Sequence, residues 1–166
     1  MRALTLTQPY ATLIAVGAKQ IETRSWSTSY RGPLAIHASK GYGKGGMRAH
    51  TALCGTEPFC TVLNAASERH YGPWSGLREI VEHPFMPLGA IVATCELVGI
   101  VPTEYIKARK IIRLTGYDDW LWTEQENAFG DYTPGRYAWL LSNVRALETP
   151  MPARGAQGLW NWAARP

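Results

Sequence analysis

Apolar and polar positions change period several times along this chain, and each change marks an element. In residues 1–6, Ala3, Leu4 and Leu6 stand among Arg and Thr, the pattern of a short strand. Thr7 is then placed to N-cap a helix with Pro9 near its first position. Ala11, Leu13, Ile14 and Val16 supply the apolar face of that helix, and Gly17 is placed to end it. Residues 20–26 (QIETRSW) alternate again, predicting a strand with Ile21 inside and Glu22 and Arg24 on the other face. STSYRGP reads as a turn, and 33–38 (PLAIHA) as a third strand.

From 39 the pattern loosens. SKGYGKGGM is a Gly-rich basic loop, and 47–54 and 60–70 read as helices. Gly72, Pro73 and Gly76 then interrupt the chain ahead of a helical turn or two at 77–83. The stretch 41–89 is therefore expected to be an insertion between strands. Residues 90–101 (AIVATCELVGIV) are rich in β-branched side chains and form the strongest predicted strand. A basic helix is expected over 105–113, another helix over 119–127, a loop at FGDYTPGR and a strand over 137–147. Strands separated by short helices and irregular connections predict an α+β domain built on a small β-barrel, one domain over 1–166.

A chain of 166 residues, 46% of them hydrophobic, is long enough to bury a core without disulfides or metal. Seventeen Lys and Arg against thirteen Asp and Glu give a net charge of +4, compatible with a polyanionic partner without requiring one. Cys54, Cys60 and Cys95 match neither a disulfide framework nor a zinc pattern, which points to a reducing cytoplasm. No apolar leader or membrane-length run stands in the sequence. Four His and three Cys assemble into no metal pattern, so neither metal nor cofactor is expected. The GKGG at 43–46 lacks the spacing of a phosphate-binding P-loop.

Chemistry concentrates in residues 19–26. Lys19, Glu22 and Arg24 offer two cations for phosphate and one carboxylate for a base amino group, and Trp26 offers a ring for stacking. The residues alone leave a second reading, an Arg–Glu ion pair holding a barrel end, with Trp26 in the core. Arg31 lies in a turn beside Gly32, close enough for a phosphate contact. Lys40, Lys44 and Arg48 interleave with glycines and Tyr42 in a loop suited to a single-stranded backbone. Tyr132 and Arg136 flank the Pro134-Gly135 turn, where one could stack and the other clamp phosphate. His37, inside an apolar strand, reads first as a packing residue.

These blocks together resemble the ASCH domain family. Gly17, Lys19, Glu22 and Arg24 are similar to its G-x-K-x-x-E-x-R signature. Arg31, Gly32, Leu34, Ile36, His37, Ala38 and Lys40 are similar to the R-G-x-L-x-I-H-A-x-K pattern that comes after it. FGDYTPGRYAWLL (129–141) and GAQGLWNW (155–162) extend the resemblance over nearly the whole chain, with 41–89 matching nothing. The resemblance implies a PUA-like barrel whose cleft beside the first helix takes RNA or a modified nucleotide. Single-stranded RNA is then the expected partner, DNA less so. One relative is an amidohydrolase acting on acetylated cytidine, and others are ribonucleases. In an enzyme of that kind Lys19 and Glu22 would be catalytic. The amidohydrolase, however, carries Thr three residues after its Lys, where this chain has Glu22. A third possibility is a coactivator-like protein contact through the tail.

Overall fold

A computed structural model of the chain describes residues 1–71 and 86–163; of residues 70 and 71 the backbone alone is described. The turns expected at 77–83 and the breakers before them lie outside the described residues. Six strands build one curled sheet: β1 (Arg2–Leu6), β2 (Ile21–Arg24), β3 (Gly32–Ala38), β4 (Ala90–Pro102), β7 (Tyr137–Pro152) and β8 (Leu159–Asn161). A separate two-stranded ribbon joins β5 (Ile111–Ile112) to β6 (Trp120–Leu121). The large sheet runs in the order β2-β7-β4-β3-β1-β8, with β1 parallel to β3 and every other pair antiparallel. It is an α+β half-barrel: β2 and β8 stand at opposite edges and do not pair with each other. Register shifts along β4 and β7 bend these long strands, as extra residues in a ladder do.

The strand alternation read from the sequence sorts side chains onto two faces. On β3, Leu34, Ile36 and Ala38 enter the main core with Leu4, Leu6, Leu97, Trp139 and Leu141. Ala35 faces the other way, into a small cluster with Ala3 and Ile91, against which Trp160 and Trp162 pack. His37 shares that outer face, edge-on to Trp160 at 5.5 Å. Its Nε2 bonds the Ala153 carbonyl at 3.1 Å, so that nitrogen carries the proton. Its Nδ1 lies 3.2 Å from the Thr5 hydroxyl, which also donates to the Ala156 carbonyl and accepts from the Trp160 indole. His37 is thus the packing residue its surroundings suggested, and the tail tryptophans cover β1 rather than standing free for a partner.

Helix α1 (Tyr10–Ala15) crosses the sheet with two apolar faces. Ala11 and Ile14 enter the main core, and Leu13 enters a second cluster with Cys54, Phe59, Leu63, Ala66, Met86 and Phe129. The two helices read within 41–89 are present as α2 (Gly46–Cys54) and α3 (Phe59–Tyr71), and they contribute to the second cluster, on the outer side of α1. The cap expected from Thr7 is not made. The N-cap position is Pro9, and the Gln8 side chain accepts from the Thr12 N–H at 3.1 Å instead. Gly17, at φ +77, takes the left-handed turn that ends the helix.

Two expectations need correction. The basic helix α4 covers Thr103–Arg109 and stops there, because Lys110 turns left-handed (φ 63) and Ile111–Ile112 pair with β6. Helix α5 is Glu124–Ala128 rather than 119–127. Thr123 is its N-cap and accepts from the Glu126 N–H at 3.1 Å, which leaves Trp120–Leu121 extended. Among the described residues no helix is long and apolar enough to cross a membrane.

Candidate functional site

Strand β2 sits at the sheet edge with β7 as its partner, and the register sets Glu22 opposite Trp139 and Arg24 opposite Tyr137. Directly opposed residues share a face, so Glu22, Arg24 and Trp139 project together on the side that α1 covers. Trp26, just beyond the strand, packs edge-on against Trp139 at 4.7 Å, and its carbonyl accepts from the Trp139 indole at 3.3 Å. Ile21 and Thr23 point to the other side. Ile21 joins a third core cluster under the β5–β6 ribbon, and the Thr23 hydroxyl accepts from the Asp131 N–H at 3.0 Å.

Lys19 leaves the α1–β2 turn pointing inward. It is 0% exposed. Its Nζ donates to the Ile21 carbonyl at 2.5 Å and lies 3.5 Å from Glu22 Oε2. Arg24 Nε lies 3.0 Å from the other Glu22 oxygen, although its N–H is not aimed at that oxygen, and Arg24 Nη2 donates to the Thr5 carbonyl at 2.9 Å. Glu22, 8% exposed, is therefore held from both sides by cations. A buried ion pair of this kind depends on such compensation, because each charge loses its water.

A second carboxyl completes the cluster. Glu126, on the first turn of α5, is 6% exposed and accepts from the Gln20 N–H at 2.6 Å. Its other oxygen is buried without a well-formed hydrogen bond, as is the hydroxyl of Tyr132. Burial pushes the Glu126 carboxyl above the ordinary range. Lys19 and the Gln20 and Ile21 amides pull it back, and Glu22 adds to the rise. Burial and the charges of Glu126 and Glu22 likewise push the Tyr132 phenol up. Burial and Glu22 do the same to Tyr10, so that hydroxyl stays a donor beside the cluster. With all four ionised, Lys19, Arg24, Glu22 and Glu126 sum to zero. A proton on Glu126 leaves the site with one net positive charge.

The sequence-predicted residues are thus only partly gathered. Lys19, Glu22, Arg24 and Trp26 form one group. Lys19 differs from expectation: with no exposed surface it holds Glu22 in place and does not reach a phosphate. Tyr132 is 4% exposed and packs edge-on to Trp122 at 6.1 Å, so a buried ring offers no face for a base. Arg136 donates to the carbonyls of Asp131 (3.0 Å) and Thr23 (3.4 Å) and pairs with the Asp131 carboxylate, holding the 131–136 turn against β2. Arg31 is exposed and bonds the carbonyls of its own turn, Thr28 and Tyr30. Lys40 is exposed at the end of β3. Glu126 is the member that spacing alone did not place. Its signal was present as the Thr123-x-x-Glu126 capping pattern, but its side chain reaches the Gln20 amide of a distant segment rather than its own helix start.

Among the described residues, no three His, Cys, Asp or Glu side chains gather as metal ligands. The three cysteines are free, and burial pushes the thiols of Cys54 and Cys95 up to about 12, far from a reactive thiolate.

Comparison with solved structures returns an ASCH protein from Zymomonas mobilis, 15% identical, with a TM-score of 0.48 and coverage of 99% of this chain and 87% of that one. Two point mutants of a Zymomonas mobilis ASCH protein match similarly, each 15% identical over 99% of this chain, with TM-scores of 0.47 and coverage of 90% and 88% of theirs. Comparison with curated protein sequences gives no match. The description of the ASCH domain family matches residues 4–151, from within the first strand to near the end of β7, and by that match the chain belongs to the ASCH domain family.

Proposed function

We propose that this ASCH domain binds single-stranded nucleic acid, RNA before DNA, at the edge of the half-barrel where β2 ends. The PUA-like fold of the family is often linked to RNA binding. The observation that carries the reading is the row Glu22, Arg24 and Trp26 along one side of an edge strand. Glu22 is nearly buried and clamped, the Arg24 side chain keeps 23% of its surface exposed, and Trp26 is half-buried. A pinned carboxylate accepts from a base amino group. A part-exposed guanidinium gives a charge-assisted bond to phosphate. A half-buried indole supports one base by stacking. Lys40 and Arg31, exposed nearby in sequence, add phosphate contacts at the periphery. Lys19 acts through Glu22.

The test is a fluorescence anisotropy titration with labelled single-stranded RNA at two salt concentrations. Binding in the micromolar range that weakens as salt rises is expected, because phosphate contacts release counterions. Arg24→Ala is expected to weaken it roughly tenfold or more, as loss of a charge-assisted bond does. Absence of binding at either salt overturns the reading.

The Glu126 carboxyl favours a second reading, hydrolysis of a modified nucleoside. A carboxyl with a raised pKa beside a lysine suits proton transfer. The Thr of the amidohydrolase pattern has no counterpart on this face, since Thr23 projects to the opposite side. Release of acetate from acetylated cytidine, lost in Glu126→Gln, would support this reading. No release by the wild-type protein would remove it.

A further inference from the structure

Away from the β2 edge, cations crowd the end of α4. Lys107, Arg109, Lys110 and Arg113 are all exposed. Arg113 is neutralised by Asp119 at 3.2 Å. The other three have no carboxylate partner among the described residues. They lie instead on aromatic faces. Lys110 Nζ is 3.4 Å and Lys107 Nζ 5.9 Å from the centre of the Trp122 ring, and the Arg109 guanidinium is 5.1 Å from that of Tyr105.

The helix dipole accounts for Lys107 and Arg109, which stand in the last turn of α4. It does not account for Lys110. That residue lies past the helix end, in a left-handed conformation that a β-carbon disfavours, and shares Trp122 with Lys107. Attraction to the indole offsets part of the repulsion between the two ammoniums, but no carboxylate among the described residues pairs with them. Tyr105, under the Arg109 guanidinium, is itself 44% exposed. The edge of Trp122 abuts Tyr132, whose hydroxyl lies in the field of Glu126 and Glu22. One aromatic ring thus separates this patch from the β2 cluster.

We infer that Lys107 and Lys110, set together over the Trp122 ring, form a second anchor for a nucleic-acid strand, holding its phosphate backbone beyond the β2 edge. A phosphate supplies the anion that the two ammoniums lack among the described residues. This rests on the nucleic-acid reading above and adds to it a path and a minimum length of strand.

The test compares wild type, the double variant Lys107→Ala/Lys110→Ala and Arg24→Ala. Both lysines are exposed, so the double variant is expected to keep its melting temperature. Each protein is titrated with a trinucleotide and with an RNA about 20 nucleotides long, longer than one small β-barrel domain covers. The double variant is expected to bind the long RNA about tenfold more weakly, with a salt slope lower by roughly 1.4, about 0.7 for each lost phosphate contact. Its trinucleotide binding is expected to be unchanged. Wild-type affinity and slope on the long RNA overturn the inference. So does tighter wild-type binding of poly-glutamate or of phosphatidylserine vesicles than of RNA, either of which would assign the patch to an acidic protein or a membrane surface. If the double variant loses the long RNA while Arg24→Ala binds both RNAs as wild type does, the patch stands and the β2-edge reading fails. If Arg24→Ala loses both RNAs and the double variant neither, the outcome is reversed.

Discussion

Lys19 is a charged side chain with no exposed surface, so its ammonium depends on the Ile21 carbonyl and the Glu22 carboxylate. Replacing it by Met removes a buried charge but leaves Glu22 with Arg24 alone. Removing one partner of a buried pair typically costs about 3–5 kcal/mol. Lys19→Met is expected to lower stability in urea unfolding by roughly that amount; a loss below about 1 kcal/mol would show that the pair contributes little. Glu126 behaves oppositely. Its carboxyl is held above the ordinary value of 4.5, chiefly by burial. Such a group contributes stability while protonated, fully below 4.5, and that contribution is lost as pH rises through the raised value. Glu126→Gln imitates the protonated form and keeps an acceptor for the Gln20 amide. It is expected to be at least as stable as wild type at neutral pH, with any gap closing as pH falls towards 4.5. A variant less stable than wild type at neutral pH would mean that the ionised carboxylate's attraction to Lys19 outweighs its burial.

At the scale of elements, close approach decides more than propensity. The loop after β7 lies against His37 so tightly that a β-carbon on Gly155 would stand 2.4 Å from His37 Cε1 and 2.9 Å from the Thr5 hydroxyl. His37 is held by its bond to the Ala153 carbonyl and cannot swing away without breaking it. Gly155→Ala is therefore expected to destabilise by about 1–3 kcal/mol, the usual cost of overpacking, measured as a fall in melting temperature. An unchanged melting temperature would show that the loop can lift without loss. Long-range contact likewise places α5. Its cap is local, Thr123 to the Glu126 amide, but its place in the fold comes from the Glu126 carboxyl reaching Gln20 across the chain.

The whole molecule is an open half-barrel with two edges to protect. On β2, the charged pair Glu22 and Arg24 and the covering turn at 131–136 discourage pairing with another chain. On the other side β8 covers β1, tied down by the Trp162 N–H to the Met1 carbonyl and by Trp160 to Thr5. The family match ends at 151, before this strand. Ending the chain after Pro152 is expected to bare the β1 edge and the Ala3, Ala35 and Ile91 cluster, producing a large fall in melting temperature and aggregation visible by light scattering. A truncated chain that stays monodisperse with an unchanged melting temperature would show that β8 is dispensable.

The sequence by itself determined what local pattern can carry. The alternation in 1–6, 20–26, 33–38, 90–101 and 137–147 placed five strands of the large sheet, because period-two patterning and β-branched side chains act over a few residues. The Gly17, Lys19, Glu22, Arg24 spacing located the β2 edge and the family. It left the 119–127 stretch misread, because the Thr123 cap that starts α5 was taken for helix interior. Tertiary structure alone decided depth and partnership. By residue type, Lys19, Arg24 and Tyr132 are equal candidates to touch a ligand. Packing buries Lys19 behind Glu22, sends Tyr132 into the core under the β5–β6 ribbon and leaves Arg24 part-exposed. It also brings Glu126 to Gln20 across more than a hundred residues of chain and sets two lysines over one indole. Burial and long-range contact depend on how the sheet curls and which elements cover it. No window of neighbouring residues contains that information.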